Sequence, residues 1–448
     1  MSDAQIPGWR SRLPSRAKFQ SSRIAHSGFA NLFAFTSQIF IQLVSVPVLV
    51  NAFGLKGYGI WLIISTVPTY LVLSDVGLVT AATNDMTIKY AASDHVGVVT
   101  VLQSIAVVAL TLFAGVTTAI TSLVWATVDV IGFWPTELQP HIWALPLLTG
   151  YSAMCIFSLI PVALMRATGQ YARGTFLYDI CTFSESLLIM GIATTTQNLV
   201  AAAAAPLIFR TLAVPLIYLH ARRLQPDIKL GLDHVSMAEV RRLLPAALGV
   251  VAIPVGLALS LQGTSLVVGA ILGPIAVAMF VPVRTASRMA VQMAGMVGRA
   301  LIPEIAAARG RDDSAAESQF WRINRLAKWM ILAPATAVFL AFGVQAVSLW
   351  TGGKIVPTQE LIAIMALTII FHGSWFLNAI LLTAGHDHVS IAKYIVGASI
   401  CGLLLAALMT PTWGLDGAAA SLVVVDAVLA YVVYQQVCRV TARHGAKT

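Results

Sequence analysis

The chain is poor in charge. Asp, Glu, Lys and Arg make up 10% of its 448 residues, against about 25% in a water-soluble globular chain. With 58% hydrophobic residues and a mean hydropathy of +0.82, polar groups are too few to cover a water-facing surface, so lipid must be the main solvent. A soluble enzyme is thereby excluded. Cysteine is scarce as well: Cys155, Cys181, Cys401 and Cys438 all lie in apolar runs without CxxC spacing, so they read as small buried hydrophobes, not as a disulfide or metal framework. No GxxxxGK(S/T) loop, HExxH or GxSxG occurs, which argues against a built-in ATPase or those hydrolases. No cofactor is implied. The run His386-Asp387-His388 has no further ligand nearby and reads as a turn rather than a metal site.

What the sequence does contain is apolar runs of spanning length. A helix needs about 20 apolar residues to cross the hydrocarbon core, and such runs fall at 28–53, 59–82, 98–127, 142–165, 176–195 and 199–219. They resume at 245–269, 275–299, 328–350, 359–384, 392–411 and 417–438. The expectation is an all-α integral membrane protein of twelve transmembrane helices. Its longest outer loop covers about 128–141, too short for an extramembrane catalytic domain, so a membrane glycosyltransferase or ligase is the weaker alternative.

The few charges are not evenly placed. With both termini on one side, that side carries 23 of the 28 Lys and Arg residues, the opposite side carries only Lys56 and Lys354, and three lie inside spans. The positive-inside rule then makes both termini cytoplasmic. Trp61, Trp125, Trp134, Trp143, Trp350 and Trp413 fall near the outer ends, as an interfacial belt would. The net charge of +9 is thus chiefly a topology signal, and no nucleic-acid partner is implied. Residues 1–27 lack the apolar core of a signal peptide and read as a basic cytoplasmic tail, with Arg10, Arg12, Arg16, Lys18 and Arg23 lying on anionic lipid.

The polar stretch 220–244 divides the chain into membrane halves at 28–219 and 245–438, followed by a cytoplasmic tail at 439–448. Local matches suggest duplication. At an offset of 219 Gly54 meets Gly273 and Trp61 meets Phe280; at an offset of 216 Gly169 meets Gly385 and Leu199 meets Leu415. Repeats of six helices share one orientation, so the expected layout is two six-helix lobes related by a pseudo-twofold along the membrane normal, around a central cavity.

Ionisable residues at lipid depth are costly and carry most of the functional signal. In the eighth span Arg284, Arg288, Gln292, Gly295 and Arg299 step by four, four, three and four, a single helical face about 22 Å long. It reads either as a cationic track for a phosphate or pyrophosphate head group, with Arg284 and Arg288 as its contacts, or as arginines paired with acids elsewhere. Glu185 and Arg210 lie 13 residues before and 12 after Asn198, so antiparallel packing sets them at matching depth as a structural ion pair. Asp426 has no mate in its own hairpin and either faces Arg284 or Arg288 or carries a coupling ion, a proton or sodium. Asp75, about 10 Å from the inner end of its span, shapes the cavity mouth or makes a helix contact. Asn31, Gln38, Gln42 and Ser45 form a stripe in the first span, either a hydroxyl-reading wall or interhelical hydrogen bonds. Asp179 lies close to an interface and reads as hydrated.

The segment VPVLVNAFGLKGYGIWLIISTVPTYLVLSDVGLVTAATND (46–85), with its Gly57-Tyr58-Gly59-Ile60-Trp61 turn and Ser74-Asp75-Val76-Gly77-Leu78, resembles the opening hairpin of the multidrug/oligosaccharidyl-lipid/polysaccharide (MOP) exporter superfamily. The resemblance continues in RALIPEIAAARG (299–310), LLTAGHDHVSIAKY (381–394) and GLDGAAAS (414–421), and is nearest to the Wzx-type flippases of O-antigen and other surface polysaccharides. It implies transport of an undecaprenyl-pyrophosphate-linked oligosaccharide across a bacterial inner membrane by alternating access. A polysaccharide polymerase and a chain-length regulator would be partners. Of the family's basic cavity residues, only Arg284 and Arg288 carry over, by type and span. The lipid II flippase of the superfamily has two further helices and arginines in its opening spans, and the drug exporters use an acid in the first span; neither pattern is present here.

Overall fold

In the computed structural model the described residues are 16–128, 137–311, 313–382 and 389–445. The side chains of 16–27 and of some helical positions, Asp75 and Arg299 among them, lie outside the description, as does the run 386–388. The first helical run, Arg16–Ala91, breaks at Gly54 into α1 (16–53) and α2 (55–91). There follow α3 (His95–Ala126), α4 (Ala144–Ala167), α5 (Tyr171–Thr196) and α6 (Leu199–Leu224). Next, α7 runs from Met237 to Leu272 with a π turn at Leu259–Gly263, and α8 (Pro274–Gly310), α9 (Ser314–Trp350) and α10 (Gln359–Leu382) follow. The last run, Val389–Gly445, breaks at Gly414 into α11 (389–413) and α12 (415–445). Twelve helices therefore stand among the described residues, α1–α6 in one lobe and α7–α12 in the other.

The breaks have a local cause. Gly54 (φ 69°, ψ 174°) and Gly273 (φ 85°, ψ 177°) adopt nearly the same conformation at equivalent places in the two halves, one open to glycine and strained for a residue with a Cβ. Gln197 is left-handed, and the Asn198 carboxamide caps α6 by accepting from the Val200 and Ala201 amides at 2.8 and 3.2 Å. Gly414, at φ 58°, makes the corresponding turn between α11 and α12. These four turns lie at one end of the bundle, the glycine end. The basic side chains of the loops between the even- and odd-numbered helices lie at the other, the basic end.

Several helices outrun their apolar windows. The α7 helix begins at Met237 rather than 245, α8 continues to Gly310 rather than 299, and α9 starts at Ser314 rather than 328. Hydropathy marks only the part of a helix that sits in hydrocarbon; its polar turns carry on past the lipid. Cys155 and Cys181 are buried, but Cys401 and Cys438 are exposed, which corrects the reading of all four as buried hydrophobes. An apolar side chain on the lipid face of a helix is indistinguishable from a core one by composition.

The lobes meet at the glycine end. One core there joins Val46, Tyr58 and Trp61 of the first lobe to Val268, Phe280, Val283 and Ile362 of the second. A Cβ on Gly59 would fall 1.9 Å from the Pro274 carbonyl oxygen, so α2 and the start of α8 touch backbone to backbone. Trp350 Nε1 donates to the Leu43 carbonyl at 2.7 Å across the same seam. Toward the basic end the cores separate: Val101 and Ile160 belong to a first-lobe cluster, joined by Leu243 from the start of α7, and Trp375, Ile395 and Leu429 to a second-lobe cluster. The bundle is closed at the glycine end and parted toward the basic end.

Candidate functional site

The parted half holds the polar side chains. On the first-lobe wall, α1 and α5 are zipped together by phenylalanines: Phe33 meets Phe176 and Phe183 with ring centroids at 5.0 and 6.2 Å, and Phe40 meets Phe183 at 5.8 Å. Beside this zipper a cavity of about 470 Å³ is lined by Gln38 and Gln42 of α1, Asp179, Thr182 and Ser186 of α5, and Gln292 of α8. Gln38 and Gln292 lie about 24 and 28 Å along their helices from the glycine turns, so both lobes reach the cavity at one depth. Asn31 is exposed two turns away and does not line it. Asp179 is not simply hydrated at an interface: it lines the cavity, and its Oδ2 is buried with no hydrogen-bond partner. Its neighbour Arg166 turns to Thr175 Oγ1 (3.2 Å) and to the Tyr171 ring.

Behind that wall Glu185 and Arg210 form a fully buried ion pair. Arg210 Nη2 donates to Glu185 Oε2 at 2.6 Å, and Nε lies 2.6 Å from Oε1. Tyr151 donates to Glu185 Oε2 at 2.8 Å, Arg210 also donates to Thr182 and Ser158, and its guanidinium stacks on the Tyr178 ring. The cluster fixes α4, α5 and α6 and holds the Thr182 turn of the cavity in place.

On the second-lobe wall the two arginines of α8 have different surroundings. Arg284 is buried over the Phe280 ring, and its Nη1 donates to the Leu261 carbonyl at 2.5 Å. Leu261 belongs to the π turn of α7, where widened helical hydrogen bonding leaves carbonyls to outside donors. Arg288, one turn on and half-buried, makes no hydrogen bond or ion pair among the described residues; Asp426 and His372 lie within its electrostatic reach. Asp426 is held by other partners: Oδ1 accepts from Trp375 Nε1 and meets His372 Nδ1, both at 2.9 Å, while Oδ2 is buried without a partner. His372, Trp375, Tyr151 and Asp179 were not singled out as site residues from sequence. His372 had a signal, a lone imidazole at lipid depth; Tyr151 had none. Asp75 and Arg299 belong to α2 and α8, with side chains outside the description.

At the basic end the connection 225–236 docks back on the first lobe. Gln103 donates to the Lys229 carbonyl and accepts from the His234 amide, and the Ser104 hydroxyl accepts from Ser236 N. Arg242 then bridges Asp85 (2.6 Å) and Glu239 (2.7 Å), with Lys89 beside both. Those two carboxylates raise the Arg242 pKa above its ordinary value. The first turns of α7 are thus tied to α2, although its far end belongs to the other lobe.

No protein-family model matches the chain, and no curated protein matches its sequence. Solved structures do match in fold. An inward-facing multidrug resistance MATE family transporter of the MOP superfamily superposes with a TM-score of 0.71 at 14% identity, over 91% of this chain and 99% of that one. An outward-facing structure of a MATE family transporter of the MOP superfamily gives 0.63 at 15% identity, over 95% and 97%. A MOP superfamily transporter from Pyrococcus furiosus Vc1 (DSM3638), described as having a binding pocket of reverse polarity that suggests a different function, gives 0.58 at 14%, over 94% and 96%. At these identities the likeness is one of fold: the chain is a multi-pass membrane protein with the twelve-helix, two-lobe fold of MOP superfamily transporters.

Proposed function

We propose that the protein is a secondary transporter that flips an undecaprenyl-pyrophosphate-linked oligosaccharide, the repeat unit of an O-antigen or other surface polysaccharide, across a bacterial inner membrane. The basic end faces the cytoplasm in this reading, so the described state is open inward and sealed outward by the Gly59–Pro274 and Leu43–Trp350 contacts. Alternating access exchanges this seal for one at the basic end. The observation that carries the substrate class is Arg288: a half-buried guanidinium one helical turn before the cavity-lining Gln292, with no hydrogen bond or ion pair among the described residues and Asp426 acting on it only at a distance. A permanently charged group at lipid depth calls for an anion, and a pyrophosphate offers oxygens in the geometry a guanidinium binds bidentately.

A second reading, an exporter of cationic amphiphiles, draws on Asp179, whose free carboxylate oxygen lies in the cavity wall. The two separate in cells. In a flippase-deficient polysaccharide strain the gene should restore glycan export and Arg288→Ala should abolish it at normal protein level, with no change in resistance to cationic dyes. Dye resistance without restored glycan would decide for the exporter.

A further inference from the structure

The cavity between α1, α5 and Gln292 is separate from the head-group cation but adjoins it. Gln292 follows Arg288 by four residues on one helical face, about 6 Å along α8. A ligand fragment in the cavity therefore lies next to whatever Arg288 holds. At about 470 Å³ it falls within the range of small-molecule pockets, about 300–1,000 Å³.

Its walls state what that fragment must bring. The Ser186 hydroxyl donates to the Thr182 carbonyl at 2.9 Å, and the Thr182 hydroxyl donates to the Tyr178 carbonyl at 3.1 Å. Their protons are thus used within α5; the Thr182 oxygen also accepts from Arg210 Nη2 at 3.0 Å, which leaves Ser186 as the hydroxyl acceptor of this wall. Asp179 adds an acceptor whose Oδ2 is buried and unsatisfied. A buried acceptor without a donor is costly, so the α5 wall calls for a ligand rich in O–H or N–H. Across from it the amides of Gln38, Gln42 and Gln292 both donate and accept, and Phe183 adds an apolar ring to the lining. Multiple hydroxyls on a ring with one apolar face describe a pyranose.

We infer that this cavity is the sugar subsite of the transporter, that it takes an uncharged pyranose adjoining the pyrophosphate, and that Asp179 reads two neighbouring hydroxyls. The inference rests on the flippase reading. A uronic acid in the same place would set its carboxylate against Asp179 in a low-dielectric wall and gain nothing over the bare lipid. Asp179 is a binding residue here, and the Glu185–Arg210 cluster positions the Thr182 turn behind it.

The test uses the purified full-length protein in nanodiscs with three probes: undecaprenyl pyrophosphate, the same lipid bearing galactose, and the same lipid bearing glucuronic acid. The galactose lipid should bind at least tenfold more tightly than the bare lipid, and the glucuronate lipid no more tightly than the bare one. Asp179→Asn and, independently, Ser186→Ala should remove most of the tenfold gain while leaving bare-lipid binding unchanged. Equal binding of bare and galactose lipids by the unaltered protein overturns the sugar subsite and leaves the pyrophosphate reading standing. Loss of bare-lipid binding in both variants also overturns it, since that marks a structural role. No binding of any of the three lipids overturns the inference together with the flippase reading.

Discussion

Arg210 and Glu185 are fully buried and bonded to each other, and the pair draws on Tyr151, Ser158 and Thr182 for its remaining contacts. Removing one charge leaves the other uncompensated, at a cost of about 3–5 kcal/mol, whereas replacing both with apolar residues is often close to neutral. Arg210→Met should therefore lower the thermal midpoint strongly, and Glu185→Leu with Arg210→Met should recover most of the loss; equal loss in single and double variants would contradict the pairing. The matching depth of these two residues is legible in the sequence because both distances run from one turn, Asn198. Tyr151 is not, since nothing local says that α4 turns this face toward α5. Asp179 was legible as an acid near an interface, but its buried oxygen depends on how the phenylalanine zipper sets α5 against α1.

The helices owe their ends to a few backbone positions more than to side-chain propensity. Gly273 sits at φ 85°, ψ 177°, a region that costs a residue with a Cβ about 1–3 kcal/mol. Gly273→Ala should lose about that much stability in detergent melts, and Gly54→Ala the same, because the two conformations are nearly equal. A Gly59→Ala change acts otherwise: its Cβ meets the Pro274 carbonyl without any change of φ. It should push α2 from α8 and raise thiol labelling at a Val277→Cys site, fully buried in the shared core near Pro274, while a stability loss without added labelling would place the cost elsewhere. Spans and breaks were readable because lipid demands long apolar runs and glycine punctuates them. The π turn of α7 was not readable, since no residue at 259–263 forbids an ordinary α turn; its partner Arg284 arrives from another helix.

As a whole the molecule is a clasp, one core shared at the glycine end and separate clusters within each lobe beyond it, with Leu243 of α7 joining a first-lobe one. The two-lobe plan follows in the sequence from equal halves and repeated glycines. Which end is closed does not, because the same twelve helices can close at either end. The Asp85–Lys89–Glu239–Arg242 cluster ties the start of α7 to α2, so α7 spans the two lobes and bends where its π turn lies. On the proposed function, an anionic lipid head group crosses along Arg288. This is tested most directly by reconstituting the purified protein in liposomes and following inward-to-outward transfer of a fluorescent undecaprenyl-pyrophosphate-linked oligosaccharide. Transfer is expected for the unaltered protein, with a loss of at least tenfold in Arg288→Ala and partial retention in Arg288→Lys. Transfer at full rate by Arg288→Ala, with equal protein incorporated, would contradict the proposed function.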